Sequence, residues 1–300
     1  MSYPPVIPAN GLNFTKILHS DTYPAIDPTT ESKHSGHAIF ITGASSGIGL
    51  ATAHSFAKAG ASYIGLASLD PFPPTITNTL HAAAALGNHP PPKLSILHLD
   101  VLDQPSIDTA VSHISAAFNA KLDILINCAG YMAPGASIAA SDDDDYWRAF
   151  EVNLRGTYRV TKAFLPLVLQ STGGLKTVVN ISSVAAHNLR CEYSSYGISK
   201  NAILRFTEFL MAENAEAGLL AYCVHPGAVL TRLAESMPRD TLAGLRDTPE
   251  MAADTLVYLT QGRREWLAGR YLSCTWDLPE LLAREDEIVG GDKLKMRMVL

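Results

Sequence analysis

The chain has 300 residues, 47% hydrophobic and 17% charged, with a formal charge of −6 at pH 7. That composition excludes wholesale disorder, because its apolar residues can bury enough surface to offset the entropy of ordering. The acidic balance leaves no basic field to attract phosphate backbones, so no nucleic-acid partner is expected. Cys128, Cys191, Cys223 and Cys274 lack paired spacing and read as reduced thiols. Neither an apolar run of about 18 residues nor a charged-then-apolar N-terminal stretch is present. The sequence therefore predicts a cytoplasmic protein with no membrane partner.

Residues 1–36 carry five prolines (Pro4, Pro5, Pro8, Pro24 and Pro28) and no sustained period, so an extended arm is expected there. From His37 onward short apolar runs alternate with longer helical patterns. Strands are expected at 37–42, 62–67, 94–99, 123–127, 175–181, 219–224 and near 270–273. Helices are expected at 47–59, 75–86, 104–119, 142–170, 194–217 and 249–260. Continuous apolar strands separated by helices predict a parallel sheet covered on both faces. The fold class is therefore α/β, a single doubly wound Rossmann-type domain of about seven strands. The expected boundaries are 37–284 for the domain, with a substrate lid at about 231–248, and 285–300 for a C-terminal tail.

The first strand runs into Thr42-Gly43-Ala44-Ser45-Ser46-Gly47-Ile48-Gly49. Glycines there permit close approach of the main chain to a pyrophosphate, and the helix that follows offers free N–H groups and a positive dipole end. The strand-then-helix context is the one a dinucleotide site requires. Downstream, Tyr196-Gly-Ile-Ser-Lys200 falls inside a predicted helix, where positions four apart share a face. Tyrosine is a poor base near neutrality, with a reference pKa of about 10, and an adjacent ammonium favours the phenolate. A phenol tuned in this way can exchange a proton with a carbonyl or alcohol oxygen. Ser182 and Ser183 follow the fifth strand, at the sheet edge where ligands bind in such folds. Ser141-Asp-Asp-Asp-Asp145 reads as a helix start rather than a metal site, and no metal is expected. His187 and His225 have no paired ligand spacing around them. Tyr193 has Gly197 four residues on and is not a candidate base.

These segments resemble the short-chain dehydrogenase/reductase family over about residues 37–275. The glycine turn resembles its TGxxxGxG signature and Tyr196–Lys200 its YxxxK motif. The resemblance implies a catalytic tetrad of Asn153, Ser183, Tyr196 and Lys200, with Ser183 preferred over Ser182 because it stands thirteen residues before the tyrosine. It gives Asn153 a main-chain carbonyl role in anchoring a water that links to Lys200. It implies cofactor contacts from Gly43, Ser45, Ser46, Gly47, Ile48 and Gly49 in the turn, and from Ala67 and Ser68 at the end of the second strand. Further contacts are implied for Asp100 and Val101, for Asn127, Ala129 and Gly130, for Tyr196 and Lys200, and for Pro226, Gly227, Val229 and Thr231.

Ala67 falls where family members that prefer NAD carry an aspartate, so NADP(H) is favoured and NAD(H) remains open; no arginine stands beside that position. The implied activity is hydride transfer between a carbonyl and a secondary alcohol, on a partly apolar small molecule, by a homodimer or homotetramer. A lyase, isomerase or cyclase on the same scaffold, or a dinucleotide-sensing regulator, is the alternative. The stretches SDDDDYWRAFEVNLRG and GRYLSCTWD resemble a filamentous-fungal subgroup of secondary metabolism.

Overall fold

A computed structural model describes residues 11–235 and 237–298. Residues 1–10 of the expected arm, Ser236 of the expected lid and residues 299–300 of the expected tail lie outside them. Seven strands form one parallel sheet in the order β3-β2-β1-β4-β5-β6-β7. They are β1 Ala38–Thr42, β2 Tyr63–Ser68, β3 Lys93–His98, β4 Ile124–Asn127, β5 Thr177–Ile181, β6 Leu220–His225 and β7 Tyr271–Ser273. The doubly wound expectation holds. The chain reverses its direction of growth between β1 and β4, and there a crevice opens beyond the carboxyl ends of the strands.

Burial explains why the strands are continuously apolar. Every residue of β1 is buried, and successive side chains feed opposite layers. Ile39 and Ile41 join a core with Phe56, Leu66, Val179, Leu256 and Val257, which helices α1 (Gly47–Lys58) and α8 (Pro249–Thr260) cover. Ala38 and Phe40 join the other core with Ile107, Ile114, Phe164 and Val178, beneath α3 (Gln104–Ala117) and α5 (Thr157–Gln170). Phe40 stacks on Phe164 at 4.4 Å between ring centroids. A Cβ at Gly65 on β2 would lie 2.7 Å from that Phe40 ring, so the small residue is a packing requirement.

The remaining helices are α2 (Ile76–Leu86), α4 (Asp143–Phe150), α6 (Ser194–Asn214), α7 (Arg239–Leu242), α9 (Leu278–Leu282) and α10 (Glu285–Gly290). Two differences from the sequence expectation matter for the site. The single helix expected at 142–170 is divided, because a widened π turn at Glu151–Gly156 joins α4 to α5. Such a turn changes the phase of the side chains that follow and is often found at functional sites. The short helices α7, α9 and α10 have too few residues to establish a period, and periodicity did not reveal them.

The described part of the arm docks on the chain's C-terminal elements. The Trp276 indole donates to Gly11 O, His19 N donates to Thr275 O, and Ile26 is fully buried. Thr22 donates its hydroxyl to buried Asp254 at 2.6 Å, and Ser55 of α1 donates to the other oxygen of that carboxylate. Among the described residues, no helix is long and apolar enough to cross a membrane.

Candidate active site and dinucleotide cleft

Beyond β1, β2 and β4 lies a cleft of about 450 Å³. The glycine turn forms its floor. Gly43 has φ +66°, and a Cβ there would lie 2.8 Å from Ala129 Cα and 2.9 Å from Ala129 N. The β1 and β4 ends are drawn together at this point, and Thr42 Oγ1 accepts from the main-chain N–H groups of Cys128 and Ala129. Gly49 packs directly on the turn, since its Cβ would lie 2.3 Å from Gly43 O. Ser46 precedes α1 without a side-chain cap, so first-turn N–H groups of α1 remain available to an anion. Close main-chain approach, a helix start and a cleft of this volume together fit a dinucleotide.

Most of the predicted contacts share this cleft: Gly43, Ser45, Ser46, Gly47, Ile48, Gly49, Ala67, Ser68, Asp100, Val101, Ala129, Gly130 and Thr231 all line it. Asn127 does not. Its side chain lies on the sheet face that α5 covers, where Nδ2 donates to Thr161 Oγ1 at 2.9 Å and Asn180 Oδ1 at 2.8 Å. Asn180 in turn donates to Thr207 Oγ1, so a polar rung joins α5, β4, β5 and α6 beneath the site. Pro226, Gly227 and Val229 form a turn outside the cleft wall proper. Asp247 clasps this turn, accepting from Ala228 N at 2.6 Å, and Gly227 has φ +99° with no room for a Cβ beside that carboxylate.

The four tetrad residues converge from three elements. Lys200 is buried on α6 and donates its Nζ to Ile181 O at 2.8 Å, which ties the helix to the end of β5. The ammonium nitrogen lies 5.7 Å from the centre of the Tyr196 ring, one helical turn away. Ser183 Oγ accepts from Ala185 N at 3.2 Å and stands close enough to the Tyr196 phenol to favour its ionised form. Ser182 is engaged elsewhere, donating to Lys200 O at 2.9 Å. Asn153 sits in the π turn and is 1% exposed. Its Oδ1 accepts from Tyr131 N at 2.8 Å, and its Nδ2 donates to Tyr131 O at 2.8 Å and to Ser199 Oγ at 3.0 Å. The side chain thus splices the segment after β4 to the helix that carries Tyr196 and Lys200.

The electrostatics differ from the simple expectation of a phenol lowered by its lysine. Tyr196 is only half-buried, yet the protein packed around its phenol pushes it up to about 12, and the nearby Ser183 hydroxyl opposes this. Burial also holds Lys200 down to about 8. Desolvation outweighs pairing because each group sits among carbon and neutral polar atoms, which penalise either charge.

Sequence reading missed three residues that frame the cleft. Tyr131 and Arg148 line it together, with the guanidinium 5.3 Å from the ring centroid, and the Tyr131 hydroxyl donates to Asp145 at 2.6 Å. Arg232 crosses from the opposite rim, its Nη1 lying 3.1 Å from Asp70 Oδ2. Tyr193 is buried and packs its hydroxyl against Gly135, and the guanidinium of Arg190 lies over its ring. Arg190 also donates to Thr241 Oγ1 of α7 at 2.6 Å. The acidic run behaves as a helix start, with Asp142 accepting from Asp145 N. Among the described residues no group of three or more His, Cys, Asp or Glu side chains is arranged to hold a metal ion.

A family model described as short chain dehydrogenase matches residues 37–241. A short chain dehydrogenase of Monascus ruber, citE, is 46% identical over 300 residues, with both chains covered in full. A short chain dehydrogenase of Emericella variicolor, andI, is 39% identical, covering 95% of this chain and 96% of its own. Among solved structures, an NADH-dependent reductase, A1-R′, complexed with NAD is similar at 25% identity and a TM-score of 0.67. That match covers 81% of this chain and 96% of the reductase.

Proposed function

The chain belongs to the short-chain dehydrogenase family of oxidoreductases, and from that premise we propose that it interconverts a carbonyl and a secondary alcohol, with Tyr196 as the acid and base. The observation that carries this reading is the Tyr196–Lys200 pair on one helix face, with Lys200 Nζ 3.6 Å from where a Cβ of Gly130 would stand in the cleft wall. In reduction, Ser183 holds the substrate oxygen and Tyr196 delivers a proton to it. In oxidation the same phenol receives the proton. Lys200, fixed by Ile181 O, keeps a positive charge within reach of the phenol. Asn153 holds Tyr131 and Ser199 in place, and its main-chain carbonyl anchors the water that relays the proton from Lys200. Gly43, Ser45 to Gly49, Ala129 and Gly130 would hold a nicotinamide dinucleotide in the cleft, and that group would supply or accept the hydride.

The cofactor is NADP(H) in preference to NAD(H). Support comes from the β2 end, where Ala67 and Ser68 line the cleft and no carboxylate stands at position 67 to repel a 2′-phosphate. The substrate is a partly apolar ketone, covered by residues 231–248. The protein acts as a homodimer or homotetramer through the helical stretches at 142–170 and 194–217. Trp147 and Tyr158 on the first, and Ile198 and Phe209 on the second, are large exposed apolar side chains, and Ile198 and Phe209 stand eleven residues apart on one face of α6.

Following the nicotinamide absorbance while cyclic and aromatic ketones and aldehydes are offered tests this reading. NADPH should be consumed faster than NADH at equal concentration. Consumption of neither cofactor across the screen would favour lyase, isomerase or cyclase chemistry instead, and a strong NADH preference would overturn the cofactor assignment.

A further inference from the structure

The end of β2 is the part of the cleft whose chemistry is least settled by the family pattern. It holds hydroxyls and no carboxylate at position 67: Ser45 Oγ and Ser68 Oγ are 2.8 Å apart, and both are buried. Two residues further on stands Asp70, and the cation that meets it comes from the far side of the cleft. Thr231 is seated on the start of α1, its Cγ2 3.1 Å from where a Cβ of Gly47 would be. From the next residue, Arg232 spans the cleft and reaches Asp70 at 3.1 Å. Arg232 and Asp70 both line the cavity, as does Glu235 on the same rim as the arginine.

We propose that Arg232 is the residue that recognises a 2′-phosphate on the adenine ribose, and that Asp70 holds it in reserve until the phosphate arrives. This rests on the NADP(H) reading above. The physical case has three parts. Asp70 and Arg232 are 52% and 64% exposed, and an ion pair so open to solvent is weak. A phosphate monoester carries more charge than a carboxylate and offers three acceptor oxygens to the guanidinium fork. The guanidinium already stands just beyond the end of β2, beside Asp70, so a phosphate bound there would meet it through a change of side-chain torsion and not a rearrangement of the fold. Specificity is thus supplied across the cleft from a loop about 165 positions beyond Ala67, which is why no arginine is found beside Ala67 in the sequence.

Calorimetric titration with 2′,5′-ADP and with 5′-AMP tests this without turnover, using the full-length protein and its Arg232→Met and Asp70→Asn variants. The wild type is expected to bind 2′,5′-ADP more tightly than 5′-AMP. Arg232→Met, which keeps the apolar stem, should weaken 2′,5′-ADP by roughly 10- to 100-fold and leave 5′-AMP within about twofold. Asp70→Asn should strengthen 2′,5′-ADP, because the arginine no longer has a competing anion. Equal loss for both nucleotides in Arg232→Met would put the arginine on the shared phosphate and overturn the proposal. So would a preference for 2′,5′-ADP that survives the substitution, while leaving the NADP(H) reading intact. A wild type that does not prefer 2′,5′-ADP would remove both.

Discussion

Replacing Gly43 by alanine separates two costs that usually arrive together. The backbone at Gly43 lies at φ +66°, where an L side chain is strained by roughly 1 kcal/mol. The new Cβ would also lie 2.8 Å from Ala129 Cα, a main-chain atom held by the Thr42 hydroxyl and unable to give way as a side chain would. Relief requires the β1 and β4 ends to part, at a further cost of about 1–3 kcal/mol. Gly173 is the internal control, with φ +69° and nothing within 4 Å of its Cβ position. Urea unfolding should therefore show Gly43→Ala destabilised by about 2–4 kcal/mol and Gly173→Ala by about 1 kcal/mol. Fluorescence titration with NADPH should show weakened binding only in the first, because Gly43 and Ala129 both line the cleft. Equal destabilisation of the two variants would refute the claim that the turn is closed by contact with β4.

Asp123 is fully buried and accepts from Ala38 N at 2.7 Å and from Ser171 Oγ at 2.8 Å, tying β1 to the segment before β5. Asp123→Ala strands both donors and should lower the unfolding free energy by about 3 kcal/mol, with little change in cofactor affinity at temperatures where the variant is folded. Acid should destabilise the protein through His34 and His225, since burial holds each down to about 3. Between pH 6.5 and 3 the unfolded chain binds protons that the folded chain refuses, so stability falls as pH falls, by about 1.4 kcal/mol per unit for each histidine. Asp254, held above its ordinary value by burial, opposes part of that loss. Urea midpoints measured from pH 7 to 4.5 check the slope, and a His34→Leu variant should flatten it; an unchanged slope would remove His34 from the account.

What the sequence disclosed follows a physical division. The glycine turn, Ser183 and the Tyr196–Lys200 pair are recognisable because their spacing is local: a strand-to-helix turn and one turn of a helix fix their mutual placement. Asn153 was identified, but what its side chain does was not. A π turn leaves no mark in a 3.6-residue period, and its partners Tyr131 and Ser199 lie 22 and 46 positions away. Asn127 was identified by the resemblance of the segment 127–130, and strand alternation turns its side chain away from the cleft toward Thr161 and Asn180, where it ties the central sheet together. Arg232 and Asp70, separated by 162 positions, meet only because the segment after β6 folds back over the end of β2. A search for a basic residue near Ala67 in the chain had no means of finding it.

The central claim is that Tyr196 transfers the proton while other residues build the cleft. Tyr196→Phe removes one hydroxyl from a ring whose packing is otherwise retained. NADPH binding, followed by fluorescence, should be unchanged within experimental scatter. The rate of nicotinamide oxidation with a ketone that the wild type reduces should fall by about 10²- to 10⁴-fold. Turnover at the wild-type rate in this variant, with the cofactor bound normally, would contradict the account.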